Sequence, residues 1–167
     1  MILDIITITI SLVALVFSTL QFFFEKSRMR KEATINAFNQ LEENENIKKL
    51  FSSTKEQLDL YIYNKKCNIS DTDREWEDIS CALSLIEHFA VGINNKIYDY
   101  KILNAMAGNH ITNIFYLCKE IIDFKKQGEG KENNYCEFSK MINKIVEYRK
   151  RKNQALPKQV SNYFNEK

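Results

Sequence analysis

The chain has 167 residues, room for one domain of ordinary size, and 44% apolar with 28% charged residues marks it as globular rather than disordered. Only 4 Gly and 1 Pro occur, none before Gly92, which excludes the turn-rich sandwiches, propellers and collagen-like repeats and leaves an all-α fold class. A net charge of +2, from 24 basic and 22 acidic residues, excludes a global nucleic-acid footprint.

Chain order begins with an apolar run. Ile5 to Phe24 carry no charge over twenty residues, IITITISLVALVFSTLQFFF. As a helix this run is about 30 Å long, the thickness of a bilayer's hydrocarbon core. A cleaved signal peptide carries positive charge in front and small residues behind; here Asp4 stands in front and Phe22, Phe23 and Phe24 behind. The run is therefore read as a retained single-pass anchor over 1–24. The basic residues Lys26, Arg28, Arg30 and Lys31 follow it at once. By the positive-inside rule the N-terminus faces out, the rest faces the cytoplasm, and these four cations lie on anionic lipid headgroups. In a bacterial cell that places the chain in the inner membrane. Within the run, Asp4, Thr7, Ser11, Ala14, Ser18 and Gln21 recur at spacings of 3, 4, 3, 4 and 3, one seam of a helix. Thr7/Ser11 and Ala14/Ser18 are small-xxx-small pairs, which let membrane helices approach closely. The seam predicts a homo-oligomer, by packing or, in a narrower reading, by lining a pore.

With no Gly or Pro after it, the same helix is expected to run on as a juxtamembrane stalk over 25–52, with Ala33, Ala37, Phe38 and Leu41 as its apolar stripe and Ile47, Leu50 and Phe51 a further turn. A cytoplasmic bundle of about five further helices is assigned to 53–153. Ser53-x-x-Glu56 predicts a capped helix through Leu58, Tyr61 and Ile62, and Lys65 to Asp71 reads as a loop. Thr72-x-x-Glu75 opens the best-defined helix, with Trp76, Ile79, Leu83, Ile86, Ala90 and Ile93 on one stripe. Asn94-Asn95 supplies a turn, Asp99 caps a short helix through Leu103 and Met106, and Gly108 ends it. Ile111, Ile114, Phe115, Cys118, Ile121 and Ile122 mark the next helix, and residues 127–133 a polar loop. Tyr135, Phe138, Met141, Ile142 and Ile145 mark the last, before a tail over 154–167.

No motif carries catalysis. The chain lacks a glycine-rich phosphate loop, Gly-x-Ser-x-Gly and His-Glu-x-x-His, and none of its arginines is followed four to six residues later by His, as a helical metal-independent ribonuclease would need. Glu87, His88 and His110 could form a metal or acid–base site, but spacing places no third ligand, and the favoured reading is a half-buried and a helix-cap histidine. No enzyme, cofactor or metal is expected. Glu87 lies in a wide apolar stripe and is read as a buried structural carboxylate reaching a cation or backbone amides. Cys67, Cys81, Cys118 and Cys136 form no Cys-x-x-Cys pair and read as buried small side chains in a reducing compartment. Arg149, Lys150, Arg151 and Lys152 form a second basic cluster, a contact for a partner or, weakly, for RNA, unless it is only a solvated helix terminus.

The segment from Leu85 through Glu87, Gly92 and Asp99 to Gly108 resembles the core of an uncharacterised bacterial and phage family, catalogued as a domain of unknown function. The resemblance covers about residues 72–148 and departs where that family often has Trp and this chain has Ile114-Phe115. It implies one N-terminal span and a small cytoplasmic helical domain. In architecture alone the chain is also similar to small accessory membrane proteins of bacterial antiviral systems, some of which form rings that perturb membranes. Two functions follow: a membrane-tethered, self-associating interaction module for an unidentified cytoplasmic protein, or an oligomeric membrane effector working through its seam.

Overall fold

The computed structural model describes residues 2–67, 73–127 and 131–157, and every regular element among them is helical. They are α1 (Ile2–Glu43), α2 (Glu45–Ser52), α3 (Lys55–Lys66), α4 (Asp73–Asn94), α5 (Tyr100–Leu117), α6 (Lys119–Lys125) and α7 (Cys136–Arg151). The all-α class holds, with six helices after α1 rather than about five. The Thr72 cap, residues 68–71, the middle of the 127–133 loop and residues 158–167 lie outside the described residues.

Side-chain caps set several boundaries. Asn44 ends α1 and starts α2, its Oδ1 accepting the N–H groups of Asn46 and Ile47 at 3.0 and 3.4 Å. One residue beyond the expected Ser53/Glu56 box, Thr54 and Gln57 form a reciprocal capping box that opens α3. Asp99 caps α5 as expected, accepting from Lys101 N–H at 2.9 Å. The helix that Asp99 caps reaches a non-helical residue at Ala107 (φ −141°, ψ 15°), one position before the expected stop at Gly108, and a second helical stretch continues beyond it to Leu117; the two expected helices thus meet at a kink within α5. A further break at Cys118 splits off α6.

α4 is the axis of the bundle, packing against α7, α2, α1 and α3. Its expected stripe is buried from Ile79 through Leu83, Ile86, Ala90 and Ile93, joined by Ala82 and Phe89, whereas Trp76 is half-buried against Phe124. Leu103, Ile111 and Ile114 of α5 and Phe138, Met141, Ile142 and Ile145 of α7 close over it. The expected boundary near residue 53 is not one. Phe38 is 2% exposed with its ring 5.9 Å from that of Phe89, and Leu41, Ile47 and Leu50 are equally part of the core. Residues expected to form a stalk are thus a wall of the bundle, because the apolar stripe of this part of α1 needs a partner to cover it.

Candidate membrane-side site

α1 is one continuous helix with two surroundings. The apolar side chains from Ile6 to Phe24 are all exposed, with Phe23 at the edge of a cleft shared with Lys96 and Ile97, and the helix is long and apolar enough to cross a membrane. Five of the seam residues, Thr7, Ser11, Ala14, Ser18 and Gln21, are exposed, and the side chain of the sixth, Asp4, lies outside the described residues. Thr7 donates to Leu3 O and Ser11 to Thr7 O, each at 2.9 Å, and Thr19, off the seam, does the same to Leu15 O. Hydroxyls that bond one turn back cost little in lipid, so the distinguishing property of the seam is small size rather than unsatisfied polarity.

The lower half of α1 turns Arg30, Thr34, Ala37, Phe38 and Leu41 towards the bundle. At about 100° per residue, the mean direction of that set lies about 160° around the helix from the seam. Seam and bundle therefore occupy opposite sides of one rod, and the exposed residues Glu25, Met29, Glu32 and Asn36 prolong the seam beyond the apolar run.

A polar junction fixes α1 to the start of α5. The Thr34 hydroxyl, fully buried, donates to Arg30 O at 2.7 Å and accepts the Asp99 N–H at 2.7 Å. Arg30 Nη2 reaches Asp99 Oδ2 at 3.3 Å. Asp99 thus caps α5, meets a cation and anchors its own amide on α1. Of the four cations expected on lipid headgroups, Arg30 meets Asp99 in this junction, Arg28 pairs with Glu32 at 3.3 Å with both side chains mostly in solvent, and Lys26 and Lys31 are exposed. Beside the junction a cleft of about 560 Å³ is lined by Phe23, Lys26, Met29 and Arg30 of α1 and by Lys96 and Ile97 of the α4–α5 turn. Sequence reading missed Lys96 and Ile97, which stand almost seventy positions from Lys26 and carry no local signal.

Glu87 is half-buried and its partners are backbone amides, though not those of its own helix. Its Oε1 and Oε2 accept from Glu137 N–H at 2.9 Å and Phe138 N–H at 2.7 Å. These are orphan donors at the start of α7, whose own N-cap residue, Tyr135, sits at φ 58° and offers no side-chain cap. At the other end of α7, Arg149 corrects the expected basic surface cluster. It is 7% exposed, with Nε and Nη2 donating to Ala155 O and Nη1 to Asn104 Oδ1. It folds the chain after α7 back onto α5, so only Lys150, Arg151 and Lys152 present side chains outward. A side chain at Gly108 would collide with Asn104 and Arg149, and one at Gly92 with the ring of Tyr98. The four residues behind the family resemblance, Glu87, Gly92, Asp99 and Gly108, are thus places where helices are joined.

The histidines stand apart. His88 borders a small cleft with Ser84, Glu87 and Tyr135, whereas His110 meets the ring of Phe51 edge-on at 4.5 Å. Among the described residues no group of three His, Cys, Asp or Glu side chains could hold a metal ion. Cys67 and Cys81 are exposed, contrary to the buried role expected, and Cys136 is half-buried. Cys118 alone is deeply buried, which pushes its thiol up to about 12. Lys125, over the Trp76 ring and donating to Ser80 Oγ, has its ammonium lowered by burial and by nearby Lys131 and Lys65.

The model of a family described as a domain of unknown function (DUF4760) matches residues 6–145, and the chain belongs to that family. The match begins inside the apolar run and extends through most of α7, so apolar run and bundle form one family unit. No curated protein and no solved structure matches the chain significantly.

Proposed function

We propose that this DUF4760 chain is a single-pass protein of the bacterial inner membrane, with its N-terminus outside and its bundle in the cytoplasm. It self-associates through α1 and presents the bundle to a cytoplasmic protein partner without performing catalysis. The observation that carries this reading is the division of α1 into opposite faces: one is consumed by the bundle, the other runs exposed from Thr7 past Gln21. Copies can meet along the second face with their bundles pointing outward, and tethering raises the local concentration of those bundles. The cations after Phe24 favour the cytoplasmic side for the bundle.

The test is the mass of the full chain in mild detergent, with the detergent contribution subtracted. A discrete oligomer that falls to monomer in the double variant Ser11→Leu/Ser18→Leu is the expected result. A monomer in the parent chain overturns self-association. Dye leakage from liposomes carrying the parent oligomer, absent with the double variant, would replace the module by a membrane effector with its seam turned inward.

A further inference from the structure

The turn between α4 and α5 departs from what its backbone requires, and it does so next to the membrane-side end of α1. α4 ends in a Schellman motif, with Lys96 N–H donating to Ile93 O at 3.2 Å and Ile97 N–H to Gly92 O at 2.9 Å. The left-handed position of that motif ordinarily belongs to glycine or asparagine; here Lys96 holds it at φ 61°. The apolar residue that follows ordinarily packs against the last turn of its own helix. At the facing position of that turn stands Gly92, where the Tyr98 ring leaves no room for a side chain, and Ile97 stays 59% exposed. Contact with a bilayer leaves the left-handed backbone at Lys96 as it is, but it covers the exposed branched side chain of Ile97 and gives a cation at that position an anionic partner.

Its surroundings fit that contact. The cleft between the turn and α1 sets Lys26, Arg30 and Lys96 beside Phe23, Met29 and Ile97. A second cleft on the far side of Arg30 and Lys96 adds Lys101 and Lys144. Asp99 is the only acid lining either cleft, and Arg30 already holds it through Nη2. Cations therefore outnumber acids at the level of the helix where the apolar run ends, with apolar side chains on the membrane side of them. We propose that this cleft binds the headgroup of an anionic phospholipid, its phosphate between Lys26, Arg30 and Lys96, and that Ile97 inserts beside Phe23 among the upper acyl carbons. The bundle then leans on the inner leaflet through one defined edge instead of hanging from α1. This rests on the reading of residues 5–24 as a membrane span.

The experiment places the full chain in nanodiscs of phosphatidylcholine alone or of equal parts phosphatidylcholine and phosphatidylglycerol. Hydrogen–deuterium exchange is followed over residues 92–101, and lipid retained per chain is counted by native mass spectrometry. The expected result is slower exchange of the turn and retained phosphatidylglycerol in the anionic discs only. Lys96→Asn keeps a residue that tolerates the left-handed backbone while removing the charge, and should weaken retention about fivefold. Ile97→Ser should lose protection of the turn with unchanged thermal unfolding of the bundle. Equal exchange of the turn in both discs, with residues 6–24 protected in both, overturns the headgroup site and leaves the span standing. Unprotected residues 6–24 would remove the span and the site together. Equal protection by inorganic phosphate in detergent overturns the assignment to lipid.

Discussion

Residues 6–24 and residues 30–41 belong to the same uninterrupted helix, yet only the second set is covered by protein. The upper half is rich in Ile, Val and Thr, residues that lose side-chain freedom in a helix and are poor helix formers in water. The lower half alternates Ala, Glu, Lys and Arg with its apolar stripe and is a good one. In the membrane span proposed for the upper half, every backbone N–H and C=O must be satisfied within the segment, which imposes helix whatever the propensity. In water the lower half is held by its packed face. One rod thus obeys two rules, and the place where they change over is marked by Arg30, Thr34 and Asp99.

The comparison is broken most forcefully at the two phenylalanines that represent it. Phe38 is buried against Phe89, whereas Phe17 is 64% exposed on the upper half. Phe38→Ala should destabilise the bundle by about 3–5 kcal/mol through lost transfer energy and a residual cavity. Phe17→Ala should leave bundle stability unchanged, since its side chain is mostly exposed and outside the core of the described residues. Thermal unfolding of the full chain in mild detergent, followed through its single tryptophan, Trp76, reads both variants. A fall in bundle stability with Phe17→Ala would mean that the upper half is folded against the bundle after all.

At the changeover itself, Thr34→Val keeps the shape of the side chain and removes its hydroxyl. The Asp99 N–H then loses its acceptor in a buried position, which costs about 1–3 kcal/mol. Faster amide exchange at Asp99 and Lys101, with residues 6–24 unaffected, is the expected signature. Unchanged exchange at Asp99 would show that the junction does not hold α1 to α5.

What could be read in advance follows the range of the interactions. The α4 stripe and the last helix are legible because a long, regular apolar spacing leaves one buried face. Ser53 and Thr54 are adjacent hydroxyls, each followed three residues on by an acceptor, so a local pattern cannot choose between their two boxes. Gly108 marks the kink at Ala107 to within one residue, but its second service, the close approach of Arg149 and Asn104, arises only in the fold. Arg149 is indistinguishable in sequence from Lys150, Arg151 and Lys152; its burial depends on Ala155 folding back. The seam is visible from its spacing alone, whereas its position opposite the bundle requires knowing which residues below it are covered.

The finest version of the comparison contrasts two arginines on the same helix, two residues apart. Arg28 meets Glu32 one turn on, with both side chains mostly in solvent, an arrangement worth about 0.5 kcal/mol or less. Arg30 meets Asp99, whose carboxylate is nearly covered and has the Lys101 N–H as its other described partner. Removing Arg30 leaves a shielded carboxylate with half its support, so Arg30→Ala should cost about 1 kcal/mol after allowance for the exposed part of the guanidinium. Arg28→Ala should sit within the error of the unfolding midpoint. Since both variants lose the same charge and unfolding is read in detergent free of anionic lipid, neither general surface charge nor the headgroup proposed at Arg30 enters the difference between them. The remaining difference measures what the bundle-facing side of the rod contributes, and equal midpoints would mean that its two sides are used alike.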